Sequence, residues 1–153
     1  MGTESDKGDV KNKISLGLIV TKDKLNNSIF PSEILKEILE APYYLLIFIS
    51  REDLVKVSCF PTKSNDIKKV LIKLTEFSPE PVKGIPTVLR ELDLSKSILH
   101  TTGLCYEMER CFYETYIIGD DLNANRIETI KKKFKAITKV VDVNVEDIHV
   151  YIK

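Results

Sequence analysis

Five side chains in this chain could ligate a metal, attack as nucleophiles or move protons near neutral pH: Cys59, Cys105, Cys111, His100 and His149. A four-ligand zinc site would need Cys59, His100, Cys105 and Cys111, whose spacing fits neither a CxxC nor an HxxxH pattern. Cys111 with His100 is the conceivable nucleophile and base, yet no residue is identifiable that would orient either of them. Cys105 and Cys111 flank Tyr106-Glu107-Met108-Glu109-Arg110. If a hairpin centres on Met108, the two sulfurs face each other. A disulfide is open to them, but directly opposed strand positions strain such a bond. Reduced, partly buried thiols are the expected state.

The acidic and basic residues add no reaction chemistry. Glu107, Glu109 and Glu114 border the same hairpin, and Asp121 or Asn123 reads as a helix cap. Lys131, Lys132, Lys133, Lys135 and Lys139 surround a helical stripe of Ile127, Ile130, Phe134 and Ile137, which makes them a solvated face. A Gly-rich phosphate loop and a paired Asp/Glu metal signature are both missing. The expectation is a non-enzyme with no catalytic residues, no metal and no cofactor.

Composition narrows the class further. The chain has 153 residues, 43% hydrophobic and 30% charged, enough to bury a core without staples. With 23 basic and 23 acidic residues the formal charge is zero, which offers no general grip on nucleic acid or an anionic membrane. The longest apolar run, YYLLIFI at 43–49, has the length of a strand and is far short of a membrane span. Residues 1–13 are polar, without an apolar stretch, and read as a disordered leader. A cytoplasmic protein is expected.

The elements that would position any site follow from hydrophobic periodicity. In the segment 68–153, strands KKVLIKLTEF (68–77), KSILHTTGLCYE (96–107), RCFYETYIIG (110–119) and VVDVNVEDIHVYI (140–152) alternate with helices GIPTVLRELDL (84–94) and NANRIETIKKKFKAITK (123–139). That βαββαβ order predicts a split βαβ arrangement with two helices on one face of an antiparallel sheet. Upstream, residues 14–61 read βαββ: strand 14–20, helix from Ser32, and strands 43–50 and 53–60 joined around Arg51-Glu52. With one residue, Glu33, inserted in the first, both first helices open on Pro, a hydroxyl, an apolar residue, Leu, a basic residue and Glu, at Pro31-Ser32 and Pro86-Thr87. The shift of about 55 residues reads either as an internal duplication with an incomplete first copy or as a shared helix-start preference.

The segment 68–153 resembles the ACT domain family, small ferredoxin-like regulatory modules. The likeness rests on element order and on Pro86-Thr87-Val88-Leu89-Arg90-Glu91-Leu92 at the first helix, with Thr101-Thr102-Gly103 where the family's second strand faces a ligand cleft. It implies an α+β fold with two ACT-like modules, 14–61 incomplete and 68–153 complete. It also implies a regulatory or sensory protein that binds a small metabolite, an amino acid in many members, and a homodimer. The family's glycine at the helix start is replaced here by Thr87, with Gly84 three residues earlier. Free N–H groups at that helix start would favour a carboxylate or phosphate, with Lys83 as counter-charge. The expected ligand residues are therefore Lys83, Gly84, Ile85, Thr87, Thr101, Thr102 and Gly103. The rivals are a ligand-free dimerisation or protein-interaction module, and a small Cys/His metal protein or enzyme. No nucleic acid or membrane partner is expected.

Overall fold

The computed structural model of the chain describes residues 14–25, 30–107, 110–120 and 122–151. The expected leader 1–13 and the hairpin tip at Met108 lie outside the described residues. The architecture is α+β, with two antiparallel sheets. The chain divides into two compact units, one holding Ser15–Asp66 with the segment from Ile148, the other Ile67–Asp147 with Ile14.

The first unit contains β1 (Leu16–Thr21), α1 (Ser32–Glu37), β2 (Tyr43–Ser50) and β3 (Val55–Thr62), with strand order β1-β2-β3. Its small core gathers Val20, Tyr44 and Leu46 under Leu18, Ile38, Phe48 and Cys59. The Tyr44 hydroxyl donates to the Leu39 carbonyl at 3.0 Å and accepts the Ala41 N–H, so burying this ring strands no polar group. The β2–β3 hairpin turns over 51–54, two residues more than expected, closed by Arg51 N–H to Leu54 O at 2.8 Å.

The second unit contains β4 (Ile67–Leu74), α2 (Pro79–Glu91), β5 (Ile98–Glu107), β6 (Arg110–Ile118), α3 (Ala124–Lys135) and β7 (Val140–Asp147). Its strand order is β5-β6-β4-β7, every neighbour antiparallel. Val70, Ile72 and Leu74 of the central strand pack with Ile85, Val88 and Leu89 of α2 and with Ile130 and Phe134 of α3 in one core. Both helices therefore lie on the same face of the sheet. The apolar stripe of α3 is its buried side, while Lys131 and Lys133 pair with Glu128 and Glu91 at the surface. Asn123 caps α3 by accepting the Arg126 N–H at 2.8 Å.

Four expectations are corrected here. The helix expected over 84–94 starts five residues earlier, at Pro79; Pro is at home there, where an N–H has no partner to lose. Pro86 falls inside the helix, so the matched Pro-hydroxyl signatures stand in different places: Pro31 at the cap of α1, Pro86 mid-helix. The two units share the order βαββ but not its pairing. The first strand pairs with the second strand in one, β1 with β2, and with the third strand in the other, β4 with β6. The strand expected over 140–152 stops at Asp147, where its partner β4 runs out; Val150 instead bridges Ile19 in parallel, with Tyr151 N–H to Ile19 O at 2.7 Å. Finally, Cys105 and Cys111 are opposed in register and joined as a disulfide, not held as two thiols. Cys59 is the free cysteine.

The opposite face of β4 buries a charge at Lys69, while Lys73 on that same face is exposed. Lys69 is 1% exposed; its Nζ lies 2.9 Å from Glu146 Oε1 on β7 and 3.6 Å from Glu114 Oε1 on β6. The Tyr116 ring adds a cation–π contact at 5.8 Å. Glu114, itself fully buried, also accepts the Ile14 N–H at 2.8 Å. Removing one partner of a buried ion pair strands the other charge. Lys69→Ala should therefore cost about 3–5 kcal/mol, seen as a melting temperature lower by roughly 10 °C. A loss below about 1 kcal/mol in urea unfolding would show that Glu114 is satisfied without Lys69.

Candidate functional site

The edge strand β5 and the helix α2 bound a trough on the helix side of the second unit. Its floor follows from register. Ile72, Tyr113 and Gly103 form one cross-strand row, and Val70, Thr115 and Thr101 form the next. Opposed residues in an antiparallel sheet point to the same side. Val70 and Ile72 face the helices, so Tyr113, Gly103, Thr115 and Thr101 do as well.

Two hollows open there. One, of about 360 Å³, is lined by Leu74, Phe77, Val82, Ile85, Gly103 and Tyr113, and is almost wholly apolar. The other, of about 560 Å³, is lined by polar groups of Arg90, Ser95 and Thr101 beside Pro86, Leu89 and Ile98, and again by Tyr113. Volumes of this size suit small-molecule ligands. Tyr113 is common to both, so the hollows abut.

Gly103 decides the shape of the apolar end. A Cβ built there would stand 2.9 Å from Cζ of Phe77, so the bare backbone is what lets the ring lie over the strand. The polar end has one charged group. Arg90 makes only a long contact, 3.5 Å, from its guanidinium to Thr87 Oγ1, and faces no carboxylate among the described residues. Thr115, beside Thr101, is fully buried, and its hydroxyl has no hydrogen-bond partner among the described residues.

Of the seven expected ligand residues, Ile85 and Gly103 line the apolar hollow and Thr101 lines the polar one. The other four lie elsewhere. Lys83 is exposed, and its carbonyl accepts the Thr87 hydroxyl at 2.8 Å. Gly84 makes room for Ile137, whose Cγ2 would meet a Cβ at 3.0 Å, so its role is packing. Thr102 points to the opposite face, where its Oγ1 lies 2.8 Å from His100 Nε2. Because α2 begins at Pro79, the residues Lys83 to Thr87 are helix interior and offer no row of free N–H groups. The true start offers little more. Pro79 and Pro81 have no N–H, Val82 N–H bonds Ser78 O, and Glu80 supplies the first-turn carboxylate. The Ser78 hydroxyl bond and the nearby Lys139 hold that carboxyl below its usual range.

Phe77, Val82, Arg90 and Tyr113 were not foreseen. A helix started at Pro79 would have shown Val82, Ile85 and Leu89 on one side at i, i+3 and i+7. Gly103 inside a strand was the available signal for close approach.

No group of three His, Cys, Asp or Glu side chains among the described residues is placed to hold a metal ion. No helix among the described residues is long and apolar enough to cross a membrane. No protein-family model matches the chain, and a comparison with curated proteins found no relative.

Two outcomes follow from the polar groups of this sheet. An unpartnered buried hydroxyl costs stability, so Thr115→Val should stabilise the protein by about 1 kcal/mol, raising the melting temperature by roughly 2–4 °C; a lower melting temperature would mean the hydroxyl is satisfied. Burial lowers the pKa of His100 from its ordinary 6.5, against an opposing pull from Glu114. The unfolded chain then takes up that proton first, so stability is lost as pH falls from 6.5 toward the folded midpoint and is flat below it. A histidine NMR titration should place the His100 midpoint below 6.5. A midpoint at or above that value would show that Glu114 outweighs burial.

Proposed function

We propose that this protein is a non-catalytic regulatory or sensory module that binds a small metabolite in the trough between α2 and β5. The carrying observation is the pair of hollows that meet at Tyr113, one apolar and one holding a guanidinium with no carboxylate partner among the described residues. Concave sites with apolar walls and a few convergent polar groups are where small ligands bind. The order β5-β6-β4-β7, with both helices on one face, supports the ferredoxin-like, ACT-like reading of this unit. In that reading an amino acid is a natural first ligand, and binding shifts the balance between packings by its difference in affinity for them. The cytoplasmic placement is the part that the Cys105–Cys111 disulfide weighs against, since such bonds persist chiefly in oxidising compartments.

A second reading has its own observation. The edge strand β3 exposes Val55 by 60% and Val57 by 46%, next to Leu54. Unpaired edges with apolar side chains invite another strand, which supports a homodimer or a protein-interaction module.

One experiment separates the two. Thermal unfolding is followed against the twenty amino acids and common nucleotides, with light scattering of the same samples. Under the sensor reading, one ligand at about 100 times its dissociation constant adds about 2.7 kcal/mol, a saturable rise of roughly 5–10 °C. The rise should vanish when Gly103→Leu fills the trough. A flat panel with a dimeric mass would favour the interaction module.

A further inference from the structure

The trough has a polarity, and its polarity specifies a ligand class. Along α2 the apolar hollow takes Val82 and Ile85, and the polar hollow takes Pro86, Leu89 and Arg90. Along β5 the same progression runs from Gly103 to Thr101 and Ile98. At a rise of about 1.5 Å per helical residue, Val82 and Arg90 stand about 12 Å apart along the helix. A single ligand that satisfies both ends is therefore elongated, apolar at one end and polar at the other.

The polar end sets the sign and number of charges. Arg90 is the only ionisable group lining either hollow besides Tyr113, and it lacks a carboxylate partner among the described residues. One guanidinium with the hydroxyls of Ser95 and Thr101 matches the planar, singly charged carboxylate, which arginine can engage through two parallel hydrogen bonds. A phosphate dianion would leave a charge uncompensated. An ammonium group would meet repulsion at Arg90 and no acceptor carboxylate in the lining. That last point separates this class from free amino acids, whose ammonium needs such an acceptor.

We infer that the trough takes a medium-length amphiphilic carboxylate, its apolar body under Phe77 and against Gly103, its carboxylate on Arg90. The inference rests on the trough being the ligand site, as proposed above. Phe77, 40% exposed and lying over Gly103, forms the outer wall of the apolar end.

The test is calorimetric titration of the full chain with decanoate, 1-decanol and propionate. Decanoate is expected to bind, with decanol and propionate each at least about tenfold weaker, a difference one charge-assisted contact can supply. Arg90→Gln should weaken decanoate about tenfold and leave decanol unchanged. Phe77→Ala should weaken decanoate and decanol alike, and circular dichroism would establish that both variants are folded. Equal binding of decanol and decanoate, or indifference to Arg90→Gln, overturns the carboxylate class. If decanoate fails but an amino acid or nucleotide raises the melting temperature and loses that effect in Gly103→Leu, the trough stands and only the class assigned here is wrong. If neither set binds, both fall.

Discussion

A lysine inside the central strand is the constraint on which the second unit depends. Side chains are buried on both faces of β4, which lies between β6 and β7 with the helices over one side, and burial demands that no charge be left unpaired. Val70, Ile72 and Leu74 meet that demand with apolar side chains; on the other side Lys69 meets it only by pairing with Glu146 and Glu114 on its two neighbours. An ammonium buried without those carboxylates would be far costlier than the pair. The pairing also reads register. Lys69 stands opposite Tyr116 on β6 and Glu146 on β7, so a slip of one residue would turn it into the apolar core and present Val70 to the carboxylates. A fully apolar face would have tolerated such slips better.

Fixing β4 and β6 in this way also fixes the trough. The row Ile72, Tyr113, Gly103 continues the register that Lys69 sets, and it carries the residue shared by both hollows out to the glycine on the edge strand. α2 is held over that row by Ile85, Val88 and Leu89 at one end of its core. Its C-terminus is closed by Asp93 in the left-handed region, with Leu94 N–H reaching back to Leu89 O at 2.9 Å, the arrangement usually given to glycine. Its N-terminus is tied by Lys139, which pairs with Glu76 and Glu80 on either side of the turn. A helix held at both ends cannot slide, so Arg90 and Val82 keep fixed places above opposite ends of the same strand.

Hydrophobic periodicity made most elements of this fold legible. β2 coincides with its expected span, and β6 and α3 differ from theirs only at their ends. Pairing was less legible, because identical element order permits two strand orders: nothing in 14–61 says whether its first strand seeks the second or the third. The start of α2 was misread for a local reason. Pro79-Glu80-Pro81 resembles a turn and Pro86 resembles a first helical residue, yet the first prolines open the helix, where an N–H has no partner to lose, and Pro86 lies in its interior at the cost of one helical hydrogen bond. That error put the expected helix start five residues too late and hid Val82. Lys69 was illegible because alternation alone does not tell that the face opposite Val70 is buried at Lys69 and exposed at Lys73. The disulfide was visible as an option, and the assembled hairpin, not the spacing, decided it.

The trough lies where it does because an edge strand can leave a gap that a central strand cannot. Between β4 and β7, α3 packs Ile130 and Phe134 down to full burial, and no row there lacks a side chain. Over β5 the sheet ends, Gly103 contributes no side chain, and Thr101 contributes a short one. α2 therefore spans more space than its own side chains fill. Phe77 covers part of it from the loop, leaving the remainder open along the strand. A packing defect left by chance in a core would be closed and apolar throughout. This one is open, graded from apolar to charged, and walled at its apolar end by a ring that rests on a glycine.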